Sequence, residues 1–206
     1  MAIFNSIEFN KKLQTAAKAK KFQAFAYNAA NTRLVAAKQE LLKEFDNNEV
    51  IKELIESSND PSIQDSAIVS KGNITAALGL KPGEATNQIK DIRKQISNGT
   101  KMDDKAKINV ARDSVLYSFK VKMPIEEDIY AKAKLYWTSK SWIEIIESGI
   151  SPTLQKFIFW WEGFNTKKSK SGTGLQTKGN VENVAELTPT PFISKLLDSF
   201  RARFSR

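Results

Sequence analysis

The stretch Ser114-Val115-Leu116-Tyr117-Ser118-Phe119-Lys120-Val121-Lys122-Met123 decides the fold class. Val115, Tyr117, Phe119, Val121 and Met123 alternate with Ser118, Lys120 and Lys122, and Leu116 is the one exception. A period of two places one set of side chains on a buried face and the other in water, as in a half-buried β-strand. Pro124 ends the run. A lone strand leaves its backbone donors and acceptors unpaired, so an antiparallel partner is required. The candidates are residues 108–110 and 156–161. The other patterned segments read as helices. The expected class is therefore α+β: a long N-terminal helix or helical hairpin, a small antiparallel sheet with flanking helices, and a C-terminal amphipathic helix.

Upstream, the first 60 residues hold neither Gly nor Pro and are rich in Ala, Lys, Gln, Leu and Glu, which favour helix. Phe9, Leu13 and Ala16 begin an apolar stripe that Phe22, Phe25, Ala26, Ala29, Ala30, Leu34, Ala37, Leu41 and Phe45 continue. Unbroken over residues 6–46, the helix would be roughly 60 Å long at about 1.5 Å per residue. A break is expected at Asn28-Ala29-Ala30-Asn31 and a second at Asp46-Asn47-Asn48. A shorter helix follows over residues 49–57, capped by Asn47 or Asn48. Residues 59–71 form a polar linker, Lys81-Pro82-Gly83 a turn, and residues 84–96 a helix with Ile89, Ile92 and Ile96 on one face. The expected organisation is a helical arm, 1–60, and an α+β domain, 61–206, folding as one unit overall.

Downstream of the strand, residues 139–148 read as a helix with Trp142, Ile145 and Ile146 inward. Gly149 stands where a left-handed C-terminal cap belongs. Ser151-Pro152 can restart a helix. Residues 192–204 are amphipathic, with Phe192, Ile193, Leu196, Leu197, Phe200 and Phe204 recurring at three-to-four spacing and Lys195, Arg201 and Arg203 on the polar face.

The 206 residues include 32 Lys or Arg and 23 Asp or Glu, for a net charge of +9. That balance favours a polyanionic neighbour: nucleic acid, an acidic protein surface or anionic lipid. The charge is uneven. Residues 9–39 carry seven Lys or Arg and no acid; residues 40–60 carry seven acids and two lysines. The basic stretch, with Lys11, Lys12, Lys18, Lys20 and Lys21, reads as a solvated face, as an arm meeting DNA or an acidic partner, or as Ala-rich helix packing. With no Cys and no His in the chain, thiolate and imidazole chemistry is excluded, and with it most hydrolase triads and zinc sites. No run approaches the ~20 apolar residues of a membrane span. The opening Met-Ala-Ile-Phe-Asn-Ser lacks a signal peptide's basic start and apolar core. The expectation is a protein used in the cytosol or packed into something assembled there.

Three motifs invite chemistry. Gly174 and Gly179 have phosphate-loop separation, but Asn180-Val181 stands where Lys and a hydroxyl residue are needed, so the match fails. The surrounding Lys167, Lys168, Lys170 and Lys178 are expected in a flexible basic surface loop that can order against a partner or a phosphate backbone. Glu126-Glu127-Asp128 reads as the acidic first turn of a helix, with Mg²⁺-dependent carboxylate chemistry the rival. Phe157, Phe159, Trp160, Trp161 and Phe164 form an aromatic run. Core or subunit interface is the favoured reading for it, against base stacking. Trp142, Trp160, Trp161, Phe192, Phe200 and Phe204 are thus the candidates for core or interface.

Several segments, in order, carry a resemblance. They are Leu41-Leu42-Lys43-Glu44-Phe45-Asp46; Gly72-Asn73-Ile74 with Leu78-Gly79-Leu80; Val121-Lys122-Met123-Pro124; and Ser141-Trp142-Ile143-Glu144 through Ile146-Glu147-Ser148-Gly149-Ile150. Then come Ser169-Lys170-Ser171-Gly172-Thr173-Gly174-Leu175-Gln176 and Thr190-Pro191-Phe192-Ile193. Across residues 40–204 the chain resembles the neck and tail-completion (head–tail connector) proteins of tailed bacteriophages. The resemblance implies a non-enzymatic virion protein, with no catalytic residue, metal or cofactor. It implies a homo-oligomeric ring between portal and tail, with other neck, portal and tail proteins as partners, genomic DNA nearby and no membrane. Such a protein would be assembled in the host cytoplasm and reside in the virion. The rival class is a basic nucleic-acid-binding protein.

Overall fold

In the computed structural model of the chain, residues 6–60, 74–111, 114–136, 138–149 and 189–204 are described. The expectations for residues 151–152, for the strand candidate 156–161, for the aromatic run 157–164 and for the loop 167–178 lie outside them. The regular elements among the described residues are helices and one antiparallel pair of strands, so the fold is α+β. By its contacts the chain divides into two compact units, Met1–Glu40 with Asn98–Met123, and Leu41–Ser97 with Pro124–Arg206. The strands gather with the N-terminal helices in the first unit.

In the first unit, α1 spans Ser6–Ala17 and α2 starts at Lys20, running to Asn47. The break is at Lys18-Ala19, not at Asn28-Ala29-Ala30-Asn31, which is helical throughout. Asn costs at most about 0.7 kcal/mol in a helix interior, too little to interrupt 28 residues free of Gly and Pro. At the true break, Gln23 Nε2 donates to the Lys18 carbonyl at 2.8 Å, satisfying an acceptor that helix interruption strands.

β1 (Lys101–Val110) pairs with β2 (Val115–Lys122). The partner is therefore far longer than residues 108–110. Its alternation is interrupted by a register shift between Met102 and Ala106, where Asp103, Asp104 and Lys105 bulge opposite Lys120. The inner face carries Met102, Ala106, Ile108, Tyr117, Phe119 and Val121, all half-buried. The Tyr117 hydroxyl donates to the Ala17 carbonyl at 2.8 Å, and Tyr27 meets Phe119 edge-on at 5.7 Å. These contacts fix α1 and α2 over one face of the hairpin.

The second unit builds its core from the end of α2 (Leu41, Phe45), α3 (Glu49–Asn59), α4 (Ile74–Ala77) and α5 (Glu84–Gly99). The rest comes from α6 (Glu126–Tyr130), α7 (Trp142–Ser148) and α8 (Ile193–Phe204). Asn48 caps α3, its side chain accepting from Val50 N–H at 3.0 Å. Ile89, Ile92 and Ile96 are buried on one stripe of α5. Each such side chain contributes roughly 1.5–3 kcal/mol on full burial. Ser141 closes a capping box on α7: its hydroxyl accepts from Glu144 N–H at 3.0 Å while Glu144 accepts from Ser141 N–H at 2.7 Å. Gly149 does follow α7 with φ positive at 69°, but ψ is 165°, so it is extended rather than left-handed helical. That region is essentially reserved for glycine.

Ser141→Ala is expected to cost about 1 kcal/mol and Gly149→Ala about 1–3 kcal/mol, both read from urea unfolding midpoints. A Gly149→Ala protein with unchanged midpoint would mean that the helix end relaxes freely.

Candidate functional site

Two groups of residues concentrate polar chemistry or exposed apolar surface, one in each unit. In the second unit, Glu147 on α7 gathers three elements. Its Oε1 accepts from Phe192 N–H at 3.0 Å, from Ser194 N–H at 2.9 Å and from the Ser194 hydroxyl at 3.2 Å. Its Oε2 accepts from the Tyr130 hydroxyl at 2.8 Å. Phe192 occupies the position before α8 where Ser, Thr, Asp or Asn normally accepts from the first turn. Its ring is instead committed to the core, stacked on Trp142 at 6.3 Å and 11°. A carboxylate from another helix therefore supplies the missing cap, placed where the helix dipole favours negative charge.

Trp142 is fully buried, and its Nε1–H donates to Gln88 Oε1 at 2.6 Å. Gln88 in turn donates to the Lys134 carbonyl at 3.0 Å. Tyr130 also donates to Glu126 at 3.2 Å. Burial, then its hydrogen bond to Glu147 and the nearby carboxylates of Glu147 and Glu126, push the Tyr130 phenol above its ordinary range. These hydrogen bonds tie α5, α6, α7 and the start of α8 together. Trp142, Phe192 and Phe200 lie in the core, whereas Phe204 is partly exposed and tilts against Phe200 at 4.9 Å. Trp160 and Trp161 fall outside the described residues.

Glu126, Glu127 and Asp128 form the acidic first turn of the five-residue α6. Among the described residues, no group of three or more Asp or Glu is placed to hold a metal ion. No helix among them is long and apolar enough to cross a membrane.

In the first unit, Lys11, Lys12, Lys18, Lys20 and Lys21 are all exposed. Lys12 pairs with Glu8 at 3.1 Å one turn away. Large apolar side chains stand among them: Phe22 is 53% and Phe25 76% exposed. Three residues apart, these two share a face at the start of α2. The outward face of the β1–β2 hairpin carries Lys101, Lys105, Lys107, Lys120 and Lys122, five exposed lysines. The sequence marked Lys120 and Lys122 as a wet face, but β1's lysines were not legible as their neighbours, because the bulge hides the strand. Lys167, Lys168, Lys170 and Lys178 lie outside the described residues.

No protein-family model, no curated protein and no solved structure matches this chain. The resemblance in the order of its motifs therefore stands on the residues alone.

Glu147→Ala strands two backbone N–H donors, leaving the Tyr130 phenol only its longer bond to Glu126, and is expected to cost about 2–4 kcal/mol; Glu147→Gln, which keeps one acceptor, about half of that. Equal losses for the two variants in urea unfolding would refute the acceptor role. Tyr130 gives a pH signature. Its folded-state pKa is raised, so the stability it adds is fully present below the phenol's ordinary value of about 10 and is lost as pH rises above it. Between pH 9 and 11 the wild-type protein should lose more stability than Tyr130→Phe, with lysine titration common to both.

Proposed function

We propose that this chain is a non-enzymatic structural component of the neck or tail-completion ring of a tailed bacteriophage, acting by oligomeric assembly between portal and tail. The observation that carries the reading is the exposed Phe22–Phe25 face of α2. It lies within an acid-free stretch and is bordered by Lys20 and Lys21. Two phenylalanines held in water on a regular helix lose free energy that a partner surface would restore, at roughly 25 cal/mol per Å² of apolar area covered. Cationic neighbours favour a partner with acidic groups around an apolar patch.

The ordered motifs support the same assignment. Leu41 and Phe45, Leu78 and Leu80, and Trp142 through Ile146 furnish core side chains of the second unit. Chemistry that depends on thiolate or imidazole is excluded by composition. A ring component needs a stable body and exposed joints, and both kinds of surface are present. On this reading the protein resides in the virion, with portal and tail proteins as its neighbours.

Sedimentation velocity and negative-stain electron microscopy, on the protein alone and mixed with isolated portal or tail particles, test the proposal. Closed oligomers or attachment to either particle are expected. Phe22→Ser with Phe25→Ser should abolish association while changing stability by no more than about 0.5 kcal/mol, as for exposed positions generally. A protein that stays monomeric and attaches to neither particle overturns the reading.

A further inference from the structure

We propose that the outward face of the β1–β2 hairpin binds the phosphate backbone of duplex nucleic acid without reading its sequence. The inference does not depend on the assembly reading.

The register defines this face. Lys101 stands opposite Lys122, Lys107 opposite Ser118 and Asn109 opposite Leu116, and all six residues are exposed. Between the first two pairs, the bulge sets Asp103, Asp104 and Lys105 opposite Lys120. Five lysines against two aspartates leave the face at +3. Only one of the lysines is ion-paired among the described residues: Lys122 meets Asp103 at 2.6 Å. The opposite face is covered by contacts such as Tyr117 on Ala17, so the lysines cannot turn inward.

At about 3.3 Å per residue, the face from Lys101 to Asn109 extends roughly 25 Å. One strand of a duplex presents a phosphate about every 3.4 Å of axis, so on the order of seven phosphates fall within that length. Lysine, a strongly hydrated point charge on a long flexible stem, suits such a row of anions and needs no fixed docking geometry. A protein partner is disfavoured by the same composition. Protein interfaces are depleted in Lys and anchored by buried aromatic or Arg side chains. Leu116, 61% exposed, is the sole large apolar group here. With no aromatic ring on this face to stack on, unpaired bases gain nothing from it, which favours duplex over single strand.

Fluorescence anisotropy with a 30-base-pair duplex of arbitrary sequence, titrated from low salt upward, tests the proposal on the full chain. The variant Lys101→Gln with Lys107→Gln and Lys120→Gln should bind at least tenfold more weakly at low salt. Its log–log salt slope should be shallower by about 3, near one per phosphate contact removed. The control Lys90→Gln with Lys195→Gln, at exposed positions of α5 and α8, should bind as the wild type does. Circular dichroism should superimpose for all three, since the substituted side chains are exposed. The proposal is overturned if the duplex is not bound at low salt or if the triple variant binds unchanged. It is overturned equally if the entire loss follows Lys11→Gln, Lys12→Gln and Lys18→Gln instead. Binding of poly-glutamate or of phosphatidylserine vesicles as tightly as the duplex, with the same sensitivity to the triple variant, would reassign the face to an acidic protein or a membrane.

Discussion

The second unit depends on one carboxylate. Glu147 accepts from the start of α8 with one oxygen and from Tyr130 with the other, so three elements distant in sequence meet at a single side chain. Hydrogen bonds to a charged group contribute about 1.5–3 kcal/mol each, net of the exchange with water. Inter-helix ion pairs among the unit's described residues include Arg93 with Asp46 and Arg203 with Glu44. Being largely exposed, such pairs are worth about 0–1 kcal/mol each. The clasp therefore outweighs them in fixing where α8 begins. It also frees Phe192 from capping, and that freedom lets its ring stack on Trp142. Core packing and helix capping compete for one position, and the fold settles the conflict by drawing the cap from α7.

The first unit is organised by an opposite logic. Its hairpin buries one face through modest contacts, a tyrosine hydroxyl on a helix end and an edge-on aromatic pair, and leaves charge on the other. Two strands alone are marginal in water, so α1 and α2 are needed to give the inner face something to pack against. The bulge at Asp103 to Lys105 is part of the same arrangement. It keeps Asp104 exposed, although regular alternation would place that residue on the inner face between Met102 and Ala106.

Where one physical effect dominated, the sequence was readable. Period two over Val115 to Val121, the isoleucine stripe of α5 and a cap at Asn47 or Asn48 each arise from neighbours along the chain. The α+β class, the long second helix and the C-terminal helix followed from them. What was missed depended on distant partners. The break at Lys18-Ala19 has no local breaker residue and is stabilised by the Gln23 side chain five residues on. β1 was recognised only at its end because the bulge destroys alternation. Gly149 was placed correctly at the helix end, but its ψ is set by where the chain must go next, which no local rule gives. Glu147 was not singled out as a capping residue, since helical periodicity carries no information about a cap delivered across the fold. Of the candidate lysines, those of the N-terminal helices were visible as a run. The hairpin lysines came together only through pairing, two from one strand and three from the other.

The two surfaces also differ in what they can bind, and the difference follows from side-chain chemistry rather than net charge. Around Phe22 and Phe25 the energy available lies in apolar area, which demands shape complementarity and so a specific partner. On the hairpin the energy lies in counterion release, which demands only a line of phosphates and falls steeply with salt. Here two apolar rings stand on a helix face, and a strand face carries five lysines, one of them ion-paired, with a single exposed leucine. The two proposals rest on that difference, apolar area for assembly and a row of lysines for phosphate, and each surface can be removed by substitution without touching the clasp in the second unit.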